Sequence, residues 1–513
     1  MPDKLLRYLA LVCAPLFLSA CGTRGLLATV GPDYQPGPVP AAAAWQVSAE
    51  GKGLAHDGSP AELIHWWERF NDPVLTRILT AAEQESATVA DAAMRIEQAR
   101  ANLVAAGAGL VPNLDASLSA NRSSVSFGGT PFIWNQYSAG LQSSWEIDLF
   151  GGLSREAEAA RSRYQGKQAA WHDARVAVAV EAANAYLAYR YCQSRVQLLR
   201  TDTDSRLQSA QLTALISEAG LGAPGDAALA EASAAEGERM SLQQQAECER
   251  TLKSLVAMTA LDEQLLRSLL GAASGQAGQL PEPPAFRLDA IPAKVLLQRP
   301  DVAAAEREVA EASANIGVQR AKQFPKLSLT GNITPTFQNF NGSALLLAET
   351  WAIGPTLSLP LFDRGKRAAD VASAQAEYAA AESRFRSKVR TAVKEVEEAL
   401  VRLASTDQRM PKADQAINGY KINLVGQQTL YQNGLGSLLD VETARRSLLS
   451  SELAQIELQQ ERVSAWIALY RAAGGGWQLP EDASRAATLP EGNIIDQGRH
   501  NPTSQSELPG GHS

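Results

Sequence analysis

Cysteine, histidine and methionine are scarce: four, five and five residues respectively in a chain of 513. The histidines, His56, His65, His172, His500 and His512, fall into no metal-ligand spacing, and no cysteine or carboxylate cluster joins them. So few methionines give no support for a copper or silver route. No Gly-rich phosphate loop follows a candidate strand and no Gly-x-Ser-x-Gly elbow occurs, so there is no catalytic set and no cofactor site. Basic clusters are also missing. With a net charge of −8, nucleic acid is excluded as a partner. Beyond the first twenty residues no run approaches ~18 apolar positions, which excludes a transmembrane helix.

What is present begins at the N-terminus. Lys4 and Arg7 precede an apolar run from Leu9 to Leu18, and Leu18-Ser19-Ala20-Cys21 follows. The run is far short of the ~20 residues that span a bilayer. It reads as a lipoprotein signal over residues 1–20, removed so that Cys21 becomes the acylated first residue. An ordinary secretory peptide with a cysteine near the cut is the alternative. Gly22, not Asp, follows the cysteine, a pattern like that of outer-membrane sorting. Several acyl chains together anchor firmly.

The rest of the chain is written twice, at an offset of about 213 residues. Pro112-Asn113-Leu114 recurs as Pro325-Lys326-Leu327, and Leu149-Phe150 as Leu361-Phe362. Val176, Val180, Ala183 and Leu187 recur as Val389, Val393, Val396 and Leu400. Gly220, Gly222 and Asp226 recur as Gly434, Gly436 and Asp440. Each half predicts a helix, two strands, a very long helix, a glycine turn and a returning helix. The strands, about 113–122, 136–149, 326–336 and 350–361, alternate apolar with polar residues. Barrel strands between lipid and water do so, and so do half-buried soluble strands. In lipid, four strands cannot leave their edges unpaired. Three copies would give a 12-stranded barrel with a passage, whereas two would give eight strands with a filled interior.

The long helices, Ser154 to Ala219 and Arg367 to Asn433, would each extend ~100 Å. Apolar stripes at 3,4 spacing suit a coiled-coil wall, with Pro411 expected to interrupt and kink the second. Cys192 and Cys248 lie equally far from Gly220, so an antiparallel hairpin brings them level. A disulfide stapling the hairpin is the expectation, two separately buried thiols the alternative. Glycines at the tips let the chain reverse. Asp226 and Asp440 then fall near the N-termini of the returning helices, where each could cap its helix or meet the dipole. Three copies of each would instead form carboxylate rings favouring cations.

Val30-Gly31-Pro32-Asp33-Tyr34, Trp66-Trp67 with Phe70 and Asp72-Pro73, the two glycine turns and the terminal Gly474-Gly475-Gly476-Trp477 together resemble the TolC-like outer membrane factors of tripartite efflux systems. The resemblance runs from Cys21 to Trp477 and is greatest with the drug-efflux, NodT-type lipoprotein branch. It implies a mostly α protein with membrane β: a homotrimeric α/β-barrel of two repeats and four strands per chain, with long periplasmic coiled-coil helices. It implies as partners outer membrane lipid, a periplasmic adaptor docking on Gly220, Gly222, Gly434 and Gly436, and an inner-membrane pump of the RND type. By position Asp226, Tyr431 and Asp440 match the family's pore constriction. A basic residue often stands where this chain has Gly436, which implies one interprotomer link fewer.

The expected organisation is a lipid-anchored arm at 21–72, repeats at 73–280 and 290–477, and a disordered tail at 478–513. Trp66 and Trp67 are expected to pack the arm onto the helices, a ligand platform being the alternative. The expected function is drug or small-molecule passage from transporter and adaptor across the outer membrane. The alternatives are a type I protein-secretion outlet, a non-conducting structural lipoprotein and an outer-membrane enzyme.

Overall fold

The computed structural model describes residues 28–37, 45, 54–56, 61–273, 282–284, 286–288, 295–296, 298–340 and 346–476. The signal 1–20, Cys21, Trp477 and the tail 478–513 lie outside them. A short strand β1 (Leu54–His56) and helix α1 (Ala61–Ile64) lead to a 3-10 turn, Trp67–Phe70. Helices α2 (Pro73–Glu85) and α3 (Ala87–Ala108) precede strands β2 (Asn113–Phe127) and β3 (Thr130–Ile147). Helices α4 (Gly152–Glu218), α5 (Pro224–Thr259) and α6 (Glu263–Ala273) complete the first half. The second half comprises β4 (Phe286–Leu288), α7 (Pro300–Ala321), β5 (Lys326–Phe340), β6 (Leu346–Ser358), α8 (Lys366–Gln432) and α9 (Leu438–Ala472).

The halves match closely. Both α4 and α8 are 67 residues long, and each starts after a glycine at positive φ, Gly151 at 73° and Gly365 at 85°. Helix α8 runs on through Pro411 rather than stopping there. A proline removes one helical hydrogen bond, and α9 clamps the helix on both sides of the loss. Arg409 pairs with Glu461 at 2.9 Å and Lys421 with Glu452 at 3.2 Å.

One sheet has the antiparallel order β2-β3-β5-β6, with β2 and β6 as its edges. The strands run longer toward the turn than the alternation suggested, because polar residues keep the ladder going to Phe127↔Thr130. Gly128 and Gly129, at φ 58° and 89°, then close a two-residue reversal. Over most of the sheet the register gathers the large apolar residues on one face. Ala116, Leu141, Ile333 and Trp351 form one row across all four strands, and Leu114, Ser143, Gly331 and Ile353 the next. On the other face stand Ser117, Ser119, Gln142, Asn332 and Thr330. The apolar face ends toward the turn in the polar row Arg122, Asn135 and Asn339. Leu118, Trp351 and Ile353 on it are 87%, 73% and 70% exposed in the isolated chain.

The main core lies where the helical hairpins meet α2. Trp66 is fully buried, stacks on Tyr470 with ring centroids 4.7 Å apart, and donates its indole N–H to the Pro284 carbonyl at 2.9 Å. Asp72 caps α2 by accepting from Val74 and Leu75 and also accepts the Tyr186 hydroxyl at 2.5 Å, which ties α2 to α4. The tryptophan pair is therefore packed as core, with Trp45 of the arm against the same cluster.

Upstream, residues 28–34 dock where β3 passes into α4. Ala28 and Val30 donate to the carbonyls of Leu149 and Phe150. Arg155 pairs with Asp33 at 2.5 Å, and the Tyr34 hydroxyl donates to Glu306 of α7 at 2.6 Å. Burial and the Glu306 carboxylate push the Tyr34 phenol well above its ordinary pKa.

Candidate functional site

The two hairpin tips are built alike. After α4, Gly220 at φ 73° donates to the Ser217 carbonyl and Leu221 to that of Ile216. After α8, Gly434 at φ 73° donates to Tyr431 and Leu435 to Leu430. Such paired bonds close a helix C-terminus and need a residue tolerant of positive φ. The second glycine of each turn has another job. A Cβ on Gly222 would lie 2.9 Å from the Ile216 side chain, and one on Gly436 would lie 3.1 Å from Leu430 Cβ and the Tyr431 nitrogen. Room, not dihedral freedom, selects glycine there. Between each pair an exposed leucine projects: Leu221 is 82% and Leu435 is 77% exposed.

Asp226 and Asp440 stand in the first turns of α5 and α9. Neither is an N-cap: that position belongs to Ala223 in α5, with no side-chain bond, and to Ser437 in α9, which accepts from Leu439. The capping alternative therefore gives way to placement within the positive end of the dipole. Among the described residues, no hydrogen bond or ion pair joins the side chains of Asp226, Tyr431 and Asp440 to one another. Asp440 is exposed, whereas Asp226 and Tyr431 are half-buried.

Cys192 and Cys248 form a disulfide between α4 and α5, with Cα atoms 5.6 Å apart. Among the described residues, no group of three or more His, Cys, Asp or Glu side chains is placed to hold a metal ion.

Sequence reasoning missed a buried polar cluster above the tips. Arg206 on α4, with Glu442 and Arg445 on α9, is at most 4% exposed. Ser233 of α5 donates to Glu442 at 2.5 Å, and Arg445 donates to the other Glu442 oxygen at 2.5 Å. Arg445 also reaches Ser205 and Ser209 of α4 at 3.3 and 3.0 Å. Arg206 pairs with Asp202 at 2.6 Å, donates to the Ser233 hydroxyl at 2.8 Å and lies 3.9 Å from Glu442. Its stem passes over Gly237, where a Cβ would come within 2.9 Å. The signal in the sequence is that Arg206 and Arg445 occupy stripe positions (Leu199, Thr203, Arg206; Leu438, Val441, Arg445) otherwise given to core residues.

Residues 78–261 and 291–475 match the family described as outer membrane efflux protein, one segment in each repeat. Nodulation protein T of Rhizobium leguminosarum bv. viciae is 29% identical over 508 residues, covering 96% of this chain and 99% of its own. The solvent efflux pump outer membrane protein SrpC of Pseudomonas putida is 28% identical, covering 88% and 96%. Among solved structures, the outer-membrane channel OprN superposes with a TM-score of 0.78 at 27% identity, covering 88% of this chain and 100% of that one.

Proposed function

Because the chain belongs to the outer membrane efflux protein family, as an outer membrane channel of a tripartite efflux pump with a periplasmic helical extension, we propose that three copies enclose the conduit and that its narrowest point is at the helix tips. The observation that carries this is the four-strand sheet, apolar on one face, polar on the other and open at both edges. Edges in lipid must be paired, and joining β6 of one chain to β2 of the next closes a 12-stranded wall. Its polar face would line the passage, and no enzyme chemistry is involved.

The repeat supplies the template for the contact between copies. Within the chain α7 of the second repeat packs on α4 of the first, with Phe324 stacked on Phe150 at 4.6 Å. The repeat counterparts, Val111 and Phe362, are 59% and 85% exposed. A neighbour placed by the same relation brings its α3 onto α8 and its Val111 onto Phe362.

Lipidation at Cys21 fits the docking of the arm. Ala28 is fixed beside Leu149, just past the end of the apolar face, and seven residues reach at most roughly 25 Å, enough to place acyl chains in the adjacent leaflet. The exposed glycine-leucine tips suit an apolar periplasmic adaptor surface connecting to an RND-type pump, with drugs or other small molecules as cargo. Asp226, Tyr431 and Asp440 line the constriction, where threefold carboxylate rings favour cations. Purified trimers in planar bilayers test this. Asp226→Asn with Asp440→Asn should lower the cation-to-anion permeability ratio several-fold; an unchanged ratio places the constriction elsewhere, and absence of any current refutes the conduit.

A further inference from the structure

Toward the β2–β3 turn the two faces of the sheet exchange roles. Lower down, the polar face is knit by hydroxyls. Those of Ser119 and Ser138 meet at 2.6 Å, and a Cβ on Gly140 would meet the hydroxyls of Thr334 and Ser117 at 3.0 and 3.1 Å. Among the described residues, charge on this face is confined to the helical end, at Asp115 and at Glu146 paired with Lys326 at 3.2 Å. Above that it is an uncharged wall, with Asn121, Gln136 and Thr336 on it. The opposite face carries the aromatic pair Tyr137 and Phe337, then turns polar at Arg122, Asn135 and Asn339. The β2–β3 ladder continues without a bulge to Phe127↔Thr130, so side chains keep alternating between the faces. Trp134 and Phe132 therefore stand on the same side as Gln136, and Val125, the partner of Phe132, stands there too. The two rings lie 6.3 Å apart, tilted by 42°. Phe132 is 41% and Val125 36% exposed. Barrel strands place apolar side chains toward lipid. These three face the other way.

We propose that Val125, Phe132 and Trp134 form a seat for uncharged, flat aromatic molecules inside the mouth of the conduit. The seat rests on the conduit reading and adds a ligand class to its exit. Two rings tilted against each other offer a third ring face and edge contacts together. No charged side chain shares the upper part of this face, so nothing there favours an ion over a neutral ring. Ser123, the partner of Trp134, supplies a hydroxyl for one polar substituent, the usual make-up of a small-molecule site. In a 12-stranded wall the three copies of the seat are spaced around the opening, each bordering the passage. An aromatic solute on its way out is retained here after the last charged group is behind it.

The test uses intact cells and a membrane-impermeant maleimide, with wild type, whose Cys192 and Cys248 are bridged, as the blank. Ser123→Cys places a thiol opposite Trp134, Thr334→Cys one deeper on the same face, and Ile333→Cys one on the lipid face. The probe is 2-naphthol, uncharged at neutral pH. It should slow labelling of Ser123→Cys and leave Thr334→Cys unaffected. Adding Phe132→Ala and Trp134→Ala should raise the half-protecting concentration about tenfold, whereas adding Tyr137→Ala, on the other face, should leave it unchanged. Should the double ring deletion not reach the membrane, Trp134→Gln alone is read instead, with a rise of about threefold expected. The seat is overturned, with the conduit intact, if naphthol leaves Ser123→Cys labelling unchanged or slows both thiols alike. Protection that survives removal of the rings overturns it as well. Thr334→Cys labelled no faster than Ile333→Cys would bring down the conduit reading itself, and the seat with it.

Discussion

Gly31 shows how much one hydrogen atom in place of a side chain can decide. Its φ is 97°, and a Cβ there would lie 2.5 Å from Gly317 Cα, backbone against backbone. Gly31→Ala is expected to cost ~1–3 kcal/mol in backbone strain alone and to lift the arm off α7. Limited proteolysis followed by mass spectrometry should then find cleavage within residues 28–37 while the helices stay resistant; an arm as protected as in wild type would refute the expectation. The Val-Gly-Pro-Asp-Tyr run was conspicuous in the sequence. Its partners Gly317, Arg155 and Glu306 were not, because they lie more than a hundred residues away and no local pattern points to them. The same holds at the tips: the need for positive φ at Gly220 and Gly434 is readable from a helix ending, whereas the close approach that selects Gly222 and Gly436 exists only in three dimensions.

The two hairpins share length and order but not their fastening. The first is joined covalently at Cys192–Cys248. The matching positions of the second are Thr406, which bonds its own helix, and Arg462, which pairs with Asp407 at 3.2 Å. Replacing both cysteines by serine should lower stability by about 2–4 kcal/mol, seen as a lower thermal midpoint by circular dichroism; an unchanged midpoint would mean that packing alone holds the hairpin. Apolar stripes made the long helices and their pairing legible to within a residue or two at each end. The charged cluster escaped because arginine at a stripe position reads locally as a break in the pattern. Only the convergence of three helices turns Arg206 and Arg445 from faults in a core into partners of Glu442. The expected interruption at Pro411 is absent: α8 is continuous through it and packs along its length on α9.

Across the whole wall the register of the sheet is the decisive quantity, because a one-residue slip would turn every apolar side chain toward the passage. Trp351 lies in the middle of the apolar face, in a row with Leu141 and Ile333. Trp351→Arg should cost ~2–4 kcal/mol at that depth and reduce the trimer recovered from outer membranes. Asn332→Lys, on the opposite face, should assemble normally and change only ion preference; equal yields from both variants would contradict the assignment of faces. The alternation that reveals these faces was readable in advance, but the far ends of the strands were not, since serine and asparagine continue a ladder as quietly as they end one. Where β2 turns into β3, only Gly128 and Gly129 are left to face the cell's surroundings. An antibody or a phage fibre reaching the apex of that reversal meets two residues of backbone without side chains.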